Sequence, residues 1–253
     1  MHVEDDAGVR TVTFDRPDVL NAFTMETAVE LADAIEGADP SPHDAIVLTG
    51  EGRAFSAGGD VEAMAEREET PDEAYRRIRD TFGRLAEAAL DSPLPIVARI
   101  NGDAVGAGMA VVALSDFAYA VEEARFGAAF VKVGLVPDTG GTFLLPRLVG
   151  LRAAKELVFT GDLVGAERAA ELGLINEAVP AEALDETVDE LVDTLRARPT
   201  ATIGLAKGAL HDGLGDWRSA LDEECRVQTI AYGTPAHEEG VAAFLEGREP
   251  TFE

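Results

Sequence analysis

Residues 9–14 (VRTVTF) alternate between apolar and polar positions and are rich in β-branched side chains, the period-two pattern of a strand. Residues 45–49 (AIVLT) and 96–100 (IVARI) are short apolar runs and read as buried strands. Further short strands are predicted at 116–121 (DFAYAV) and 124–126. Helical spacing begins after Thr24, a capping residue followed by Val29, Leu31 and Ile35. It recurs over residues 72–90 at Tyr75, Ile78, Phe82, Leu85 and Ala89. Residues 108–114 are small and apolar, which suits a buried helix close to its neighbours' backbone. From residue 151 onward the pattern predicts helices only, over 151–160, 165–172, 181–197, 200–211, 217–232 and 235–245. The chain thus divides into a mixed β/α part, 1–195, and a helical part, 196–253. No Gly/Ser-rich linker separates them, and no sequence repeat is evident.

Two glycine-rich stretches follow the two buried strands: residues 54–60 (AFSAGGD) and 101–108 (NGDAVGAG). Glycines at a strand-to-helix turn let the backbone approach a ligand and point its N–H groups outward. Two such turns can aim two donors at one oxygen, an oxyanion hole; as patterns alone they are equally two ordinary tight turns. A third such turn lies at 133–142 (VGLVPDTGGT). The charged stretch 62–73 reads as a solvated, mobile surface segment.

Charge changes the picture more than length does. The 253 residues carry 48 acidic against 21 basic side chains, a formal net charge of −27, and the only lysines are Lys132, Lys155 and Lys207. Such a chain repels nucleic acid and anionic membranes. With 46% apolar residues it has material for a sizeable core and does not read as disordered. Acid-rich, lysine-poor composition resembles that of proteins from salt-loving organisms, where salt screens the self-repulsion. No apolar run is long enough to span a membrane, and the acidic start lacks a signal core, so a cytoplasmic location is expected. The single Cys225 excludes an internal disulfide and a cysteine-rich metal site.

Familiar motifs fit poorly. Gly102, Gly106 and Gly108 lack the G-x-G-x-x-G spacing of a dinucleotide fold. Residues 54–58 approach the G-x-S-x-G nucleophile elbow around Ser56, but its first glycine is missing. The four histidines have no metal-ligand spacing.

Six blocks in order carry a resemblance over essentially the whole chain: RPDVLNAF at 16–23, AIVLTGEGRAFSAGGDV at 45–61, PIVARINGDAVGAGMAVVALSDFAYA at 95–120, VGLVPDTGGTFLLPRLVG at 133–150, TGDLVGAERAAELGLINEAVP at 160–180, and the ending EGVAAFLEGREPTF. Together they resemble the crotonase superfamily, the enoyl-CoA hydratases and isomerases. Within it they are most similar to the ring-opening 1,2-epoxyphenylacetyl-CoA isomerase type of the phenylacetate pathway. The resemblance implies an α/β crotonase (ClpP-like) fold, a spiral of ββα units. Residues 1–195 would form the acyl-CoA-binding core and 196–253 a helical region that makes a homotrimer, often stacked as a hexamer. The substrate would be an acyl-CoA thioester, with coenzyme A as part of the substrate and no separate cofactor or metal.

The resemblance also implies a site. The oxyanion donors would be the backbone N–H groups of Gly59 and Ala107. The pantetheine arm would run beside Val19, Leu20 and Ala22 and the backbone of Ala57, Gly58, Gly59, Asp60 and Val61. Phe244 and Arg248 match the family's C-terminal residues near the CoA nucleotide. The two glutamates of the hydratases fall at Ala110 and Phe130, neither of which can move a proton. Asp138 remains, at a position where some isomerases of the family keep a catalytic aspartate. Apolar neighbours such as Phe130, Val133, Val136 and Phe143 would raise its pKa. Asp60 is read as structural, and Asp103 and Glu62 as weaker acid candidates. The family's phosphate-binding lysines fall at Asp18 and Glu62, leaving Arg16, Arg53 or Arg248 to substitute. The implied function is enoyl-CoA isomerisation through Asp138, with hydration of an enoyl-CoA in fatty-acid or aromatic acyl-CoA degradation and a non-catalytic acyl-CoA-binding role as alternatives.

Overall fold

Ala7 and Gly8, both at positive φ, make a two-residue turn between β1 (His2–Asp6) and β2 (Val9–Phe14). That geometry matches the twist of an antiparallel hairpin. The computed structural model describes residues 1–65 and 69–252. After the hairpin come α1 (Met25–Glu36), β3 (Ala45–Gly50), β4 (Ala54–Ser56), α2 (Val61–Ala65), α3 (Pro71–Ile78) and α4 (Arg84–Asp91). Then follow β5 (Ile96–Ile100), β6 (Asp103–Val105), α5 (Ala107–Leu114), β7 (Phe117–Val121), β8 (Arg125–Gly127), α6 (Gly141–Leu148) and α7 (Gly150–Thr160). The remaining elements are β9 (Val164–Gly165), α8 (Ala166–Leu172), β10 (Glu177–Val179), α9 (Leu184–Arg196), α10 (Thr200–Asp212), α11 (Trp217–Tyr232) and α12 (Pro235–Glu246).

One sheet has the order β1-β2-β3-β5-β7-β10 and the other β4-β6-β8-β9. Three successive strand pairs, β3–β4, β5–β6 and β7–β8, each place the first strand in the large sheet and the second in the small one. Helices follow each pair, so the repeat is ββα and the chain winds as a spiral. Neighbours within each sheet run parallel from β2 to β10 and from β4 to β8. All six residues of β3 are buried, as a parallel strand covered on both faces requires. Phe14, Phe23 and Phe55 stack edge to face with centroids 5.1 Å apart, fixing the loop after β2 against β4.

The strands at 9–14, 45–50 and 96–100 and all six C-terminal helices stand where the sequence predicts them, within a residue or a short 3-10 turn. The structure differs in five places. The strand β1 was not anticipated, because HVEDD carries no apolar alternation. The two glycine turns each begin with a three-residue strand, β4 and β6, too short to show a period. Strands also occur after residue 151: β9 and β10 have two and three residues and add to existing sheet edges at Phe126 and Ala120. Of the segment 62–73, read as a mobile surface segment, residues 62–65 belong to α2 and Thr70 caps α3 through a capping box with Glu73. Its residues 66–68 lie outside the described residues. The helix expected over 72–90 is helical throughout but has a π-turn at Arg79–Gly83. Such turns often mark functional positions.

Candidate active site

The loops after β4, β6 and β8 leave the carboxyl ends of three adjacent parallel strands, where α/β folds place ligands. Gly58 (φ 101°) and Gly106 (φ 53°) bring the first two loops into contact: a Cβ on either would stand 3.5 Å from the other's Cα. A Cβ on Gly58 would also sit 2.9 Å from Val105 O, and one on Gly108 2.6 Å from Ser56 O. Glycine is therefore required for the two turns to meet.

The same contacts orient the two N–H groups. Phe23 bridges the first loop: its N–H donates to Gly58 O (2.6 Å), and Asp60 N–H donates to Phe23 O (2.9 Å). The N–H of Gly59, between them, faces away from that bridge. Ala107 is the first residue of α5, so its N–H has no acceptor inside the helix and lies at the positive end of the dipole. Asn21 ties the loop after β2 to β4, donating to Ala54 O (2.8 Å) and Glu51 O (2.9 Å).

Both turns open into a cavity of about 200 Å³. Gly59, Ala107, Phe82, Phe130, Val133 and Asp138 are among its lining residues. The lining is mostly apolar, and Asp138 is the one carboxylate among the described residues that form it. Asp138 is 6% exposed. Thr139 Oγ1 donates to its Oδ1 (2.9 Å) and Gln228 Nε2 to its Oδ2 (3.1 Å). Burial pushes the carboxyl above the ordinary aspartate range, and the two donors offset this in part. The neighbouring Thr139 has φ 58°, a left-handed backbone that a β-branched residue adopts only under strain.

An aspartate in a turn before a helix ordinarily caps that helix. Here the capping is done from elsewhere. Glu224 of α11 accepts from the backbone N–H groups of Gly140 (2.8 Å), Thr142 (2.8 Å) and Phe143 (3.2 Å) and from the Thr142 hydroxyl, at the start of α6. Burial pushes the Glu224 carboxyl up to about 7, with the nearby Asp138 charge adding to the effect and the Thr142 and Gly140 donors opposing it. Asp138 is thereby released from a capping role.

The expected site residues divide. Ala57, Gly58, Gly59, Val61, Ala107, Phe130, Asp138 and Phe244 line the one cavity. Val19, Leu20, Ala22, Asp60 and Arg248 do not. Leu20 O accepts from Ala57 N (2.9 Å), so this loop backs the first turn rather than facing the cavity. Asp60 accepts from Arg16 (2.9 Å) and from Ala63 N (3.2 Å), a loop-fixing and helix-capping arrangement. Asp103 pairs with Arg125, and Glu62 is exposed. Of the arginines expected near phosphates, Arg16 is held by Asp60 and Arg248 by Glu239 and Glu246. Only Arg53 of the three is without an ion pair among the described residues. Ala110 is buried one turn into α5.

Glu224, Gln228, Met64, Phe82 and Lys132 were not anticipated. The first two had a signal. The buried stripe of α11 is Trp217, Leu221, Glu224, Cys225 and Gln228, so two polar residues fall on an otherwise apolar helix face.

Comparison with known proteins gives the family. The enoyl-CoA hydratase/isomerase family model matches residues 4–253. A probable enoyl-CoA hydratase of Rhodobacter capsulatus is 38% identical over 249 residues, covering 97% of this chain and 94% of that protein. The 1,2-epoxyphenylacetyl-CoA isomerase of Escherichia coli K12 is 35% identical over 254 residues, covering 99% and 96%. The crystal structure of an enoyl-CoA hydratase from Mycobacterium avium subsp. paratuberculosis superposes with a TM-score of 0.90 at 31% identity, covering 100% of this chain and 98% of that one. The chain belongs to the enoyl-CoA hydratase/isomerase family.

Proposed function

We propose that this family member is an enoyl-CoA isomerase that moves a double bond between the 3 and 2 positions of an acyl-CoA thioester. The observation that carries this reading is the lone carboxylate among the described residues of the cavity: Asp138, buried, not engaged as a helix cap, and lining the same cavity as the Gly59 and Ala107 turns. The thioester oxygen accepts from the N–H groups of Gly59 and Ala107. Asp138 takes a proton from Cα of a 3-enoyl thioester, and the electrons move to give a dienolate whose oxygen the two donors hold. Asp138 then returns the proton at Cγ, leaving the conjugated 2-enoyl thioester. Each oxyanion donor of this kind contributes roughly 2.7–4 kcal/mol to the transition state. The raised pKa brings the carboxylate closer to the pKa of the carbon acid it deprotonates and favours its proton-bound intermediate form.

Hydration is the second reading, favoured by the name of the R. capsulatus relative. Adding water needs acid–base help at both carbons. Among the described residues, the carboxyl group next to Asp138 is Glu224, which is outside the cavity lining and is occupied by four donors. The test is a paired assay in molar KCl with a 3-enoyl-CoA and a 2-enoyl-CoA. Conjugation of the first with little change in the second is the expected result. Conversion of the second to a 3-hydroxyacyl-CoA, with no conjugation of the first, overturns the proposal.

A further inference from the structure

We propose that Gln228 is a positioning residue of this site, a locked amide that keeps Oδ2 of Asp138 an acceptor and leaves Oδ1 as the oxygen that carries the proton. The inference rests on the reading of Asp138 as proton carrier.

The amide has one orientation that satisfies its surroundings. Gln228 Oε1 accepts from the backbone N–H of Val136 (3.0 Å), a group that can only donate. The Nε2 end therefore faces Asp138 Oδ2 at 3.1 Å, and it too can only donate. Gln228 is 1% exposed, so no water competes for either contact at low cost. Val136 and Asp138 flank Pro137, and one side chain thus clamps both ends of the turn that presents the carboxylate.

The two oxygens of Asp138 then differ. A proton on Oδ2 would convert that oxygen into a poorer acceptor facing an N–H that cannot turn away. On Oδ1 the partner is the Thr139 hydroxyl, which is both donor and acceptor and can rotate from donating to an anion to accepting from an acid. The acid form therefore has its proton on Oδ1. No proton passes through Gln228, which acts only by holding the other oxygen.

Other ionisable groups face this carboxyl group. Glu224 and Cys225 lie on α11 with Gln228, and the charge of Arg77 on α3 exerts a weak opposite-charge pull. Arg77 is itself paired with Glu69, and Glu224 is held by the start of α6. These groups are unchanged by substitution at 228, so a change in Asp138 titration in such a variant reports the amide contact.

The test uses Gln228→Leu, which removes both contacts at similar volume, and Gln228→Glu, which keeps an acceptor for Val136 and puts a second carboxyl group against Asp138. The primary readout is isotope-edited infrared titration of the Asp138 carboxyl, its band identified by its loss in Asp138→Asn. It requires no turnover. Loss of one charge-assisted donor is expected to raise the Asp138 titration by about one pKa unit in the Leu variant, and by more in the Glu variant, where two carboxyl groups compete for one proton. In the isomerase assay, kcat falls about tenfold while KM changes little, and the acid limb of the profile moves up with the titration. An unshifted titration in a folded variant overturns the proposal, whatever happens to the rate. Should the Leu variant not fold, the Glu variant gives the same decision. Absence of isomerisation by the wild type overturns the function reading instead, and the infrared shift still decides whether the amide governs Asp138.

Discussion

At the scale of single residues, the site depends on atoms that are missing as much as on those present. Gly58 combines a positive φ with a Cβ direction that ends 2.9 Å from Val105 O, a backbone atom that cannot swing aside. Gly58→Ala is expected to destabilise by about 1–3 kcal/mol, readable in denaturant unfolding. It should lower kcat more than KM, because the Gly59 and Ala107 donors separate. An unchanged kcat in the folded variant would mean that the two turns do not act together. These glycines were legible in the sequence as turn residues, and Asp138 as the carboxylate left by alignment of motifs. The positioning side chains were not. Glu224 and Gln228 are 86 and 90 residues beyond Asp138, and only the helix face they share links them to it. Of the loop residues that the resemblance places beside the pantetheine arm, Leu20 holds the first glycine turn by accepting from Ala57 N–H, a contact no periodicity reveals.

At the scale of elements, the long helices could be read and most of the shortest strands could not. Twelve- to sixteen-residue helices such as α1, α11 and α12 declare their buried stripe over several turns. Strands of two or three residues, β4, β6, β8 and β9, contain at most one full alternation and gain their stability from neighbours distant in sequence, and of these four only β8 is marked in the sequence, at 124–126. Yet these strands aim the three loops at one cavity. The start of α6 shows a second long-range dependence, since its N–H groups are satisfied by Glu224 of α11. Glu224→Gln turns one acceptor oxygen into a donor that confronts a backbone N–H, and about 1–3 kcal/mol of stability should be lost. The pH dependence has a defined sign. The Glu224 carboxyl is raised in the fold from 4.5 to about 7, so the folded state holds the extra proton between those values. Its contribution is most favourable below pH 4.5 and declines as pH rises through 7. Unfolding free energies of wild type and Glu224→Gln at pH 5 and above pH 7 should therefore converge at the higher pH. A constant difference would place the raised proton affinity on another group.

At the scale of the whole molecule, charge and exposed apolar surface make opposite demands. A net charge of −27 favours separation of chains and strains the fold by self-repulsion. Leu151, Phe159, Leu205, Leu210 and Ile230, each more than half exposed, favour association. We propose that a homotrimer, or a hexamer of stacked trimers, in concentrated salt meets both demands. We expect the melting temperature to rise from about 0.1 to about 1 M KCl, over which the Debye length falls from about 10 to about 3 Å. Light scattering should give the mass of three or six chains in the same range. A monomer at high salt, or a melting temperature indifferent to salt, would contradict this view. No described helix is long and apolar enough to cross a membrane. The helical part from residue 196 supplies Gln228, Tyr232 and Phe244 to the cavity, so the site is complete only with the C-terminal helices packed.

The central claim is that one buried carboxylate carries a proton from one carbon of the thioester to another. The most direct measurement follows a 3-enoyl-CoA deuterated at Cα through turnover by wild type and by Asp138→Asn. With wild type, deuterium is expected at Cγ of the 2-enoyl product. With Asp138→Asn the rate is expected to fall at least roughly a hundredfold while the thioester still binds. Asp138→Asn turning over at the wild-type rate would contradict that claim.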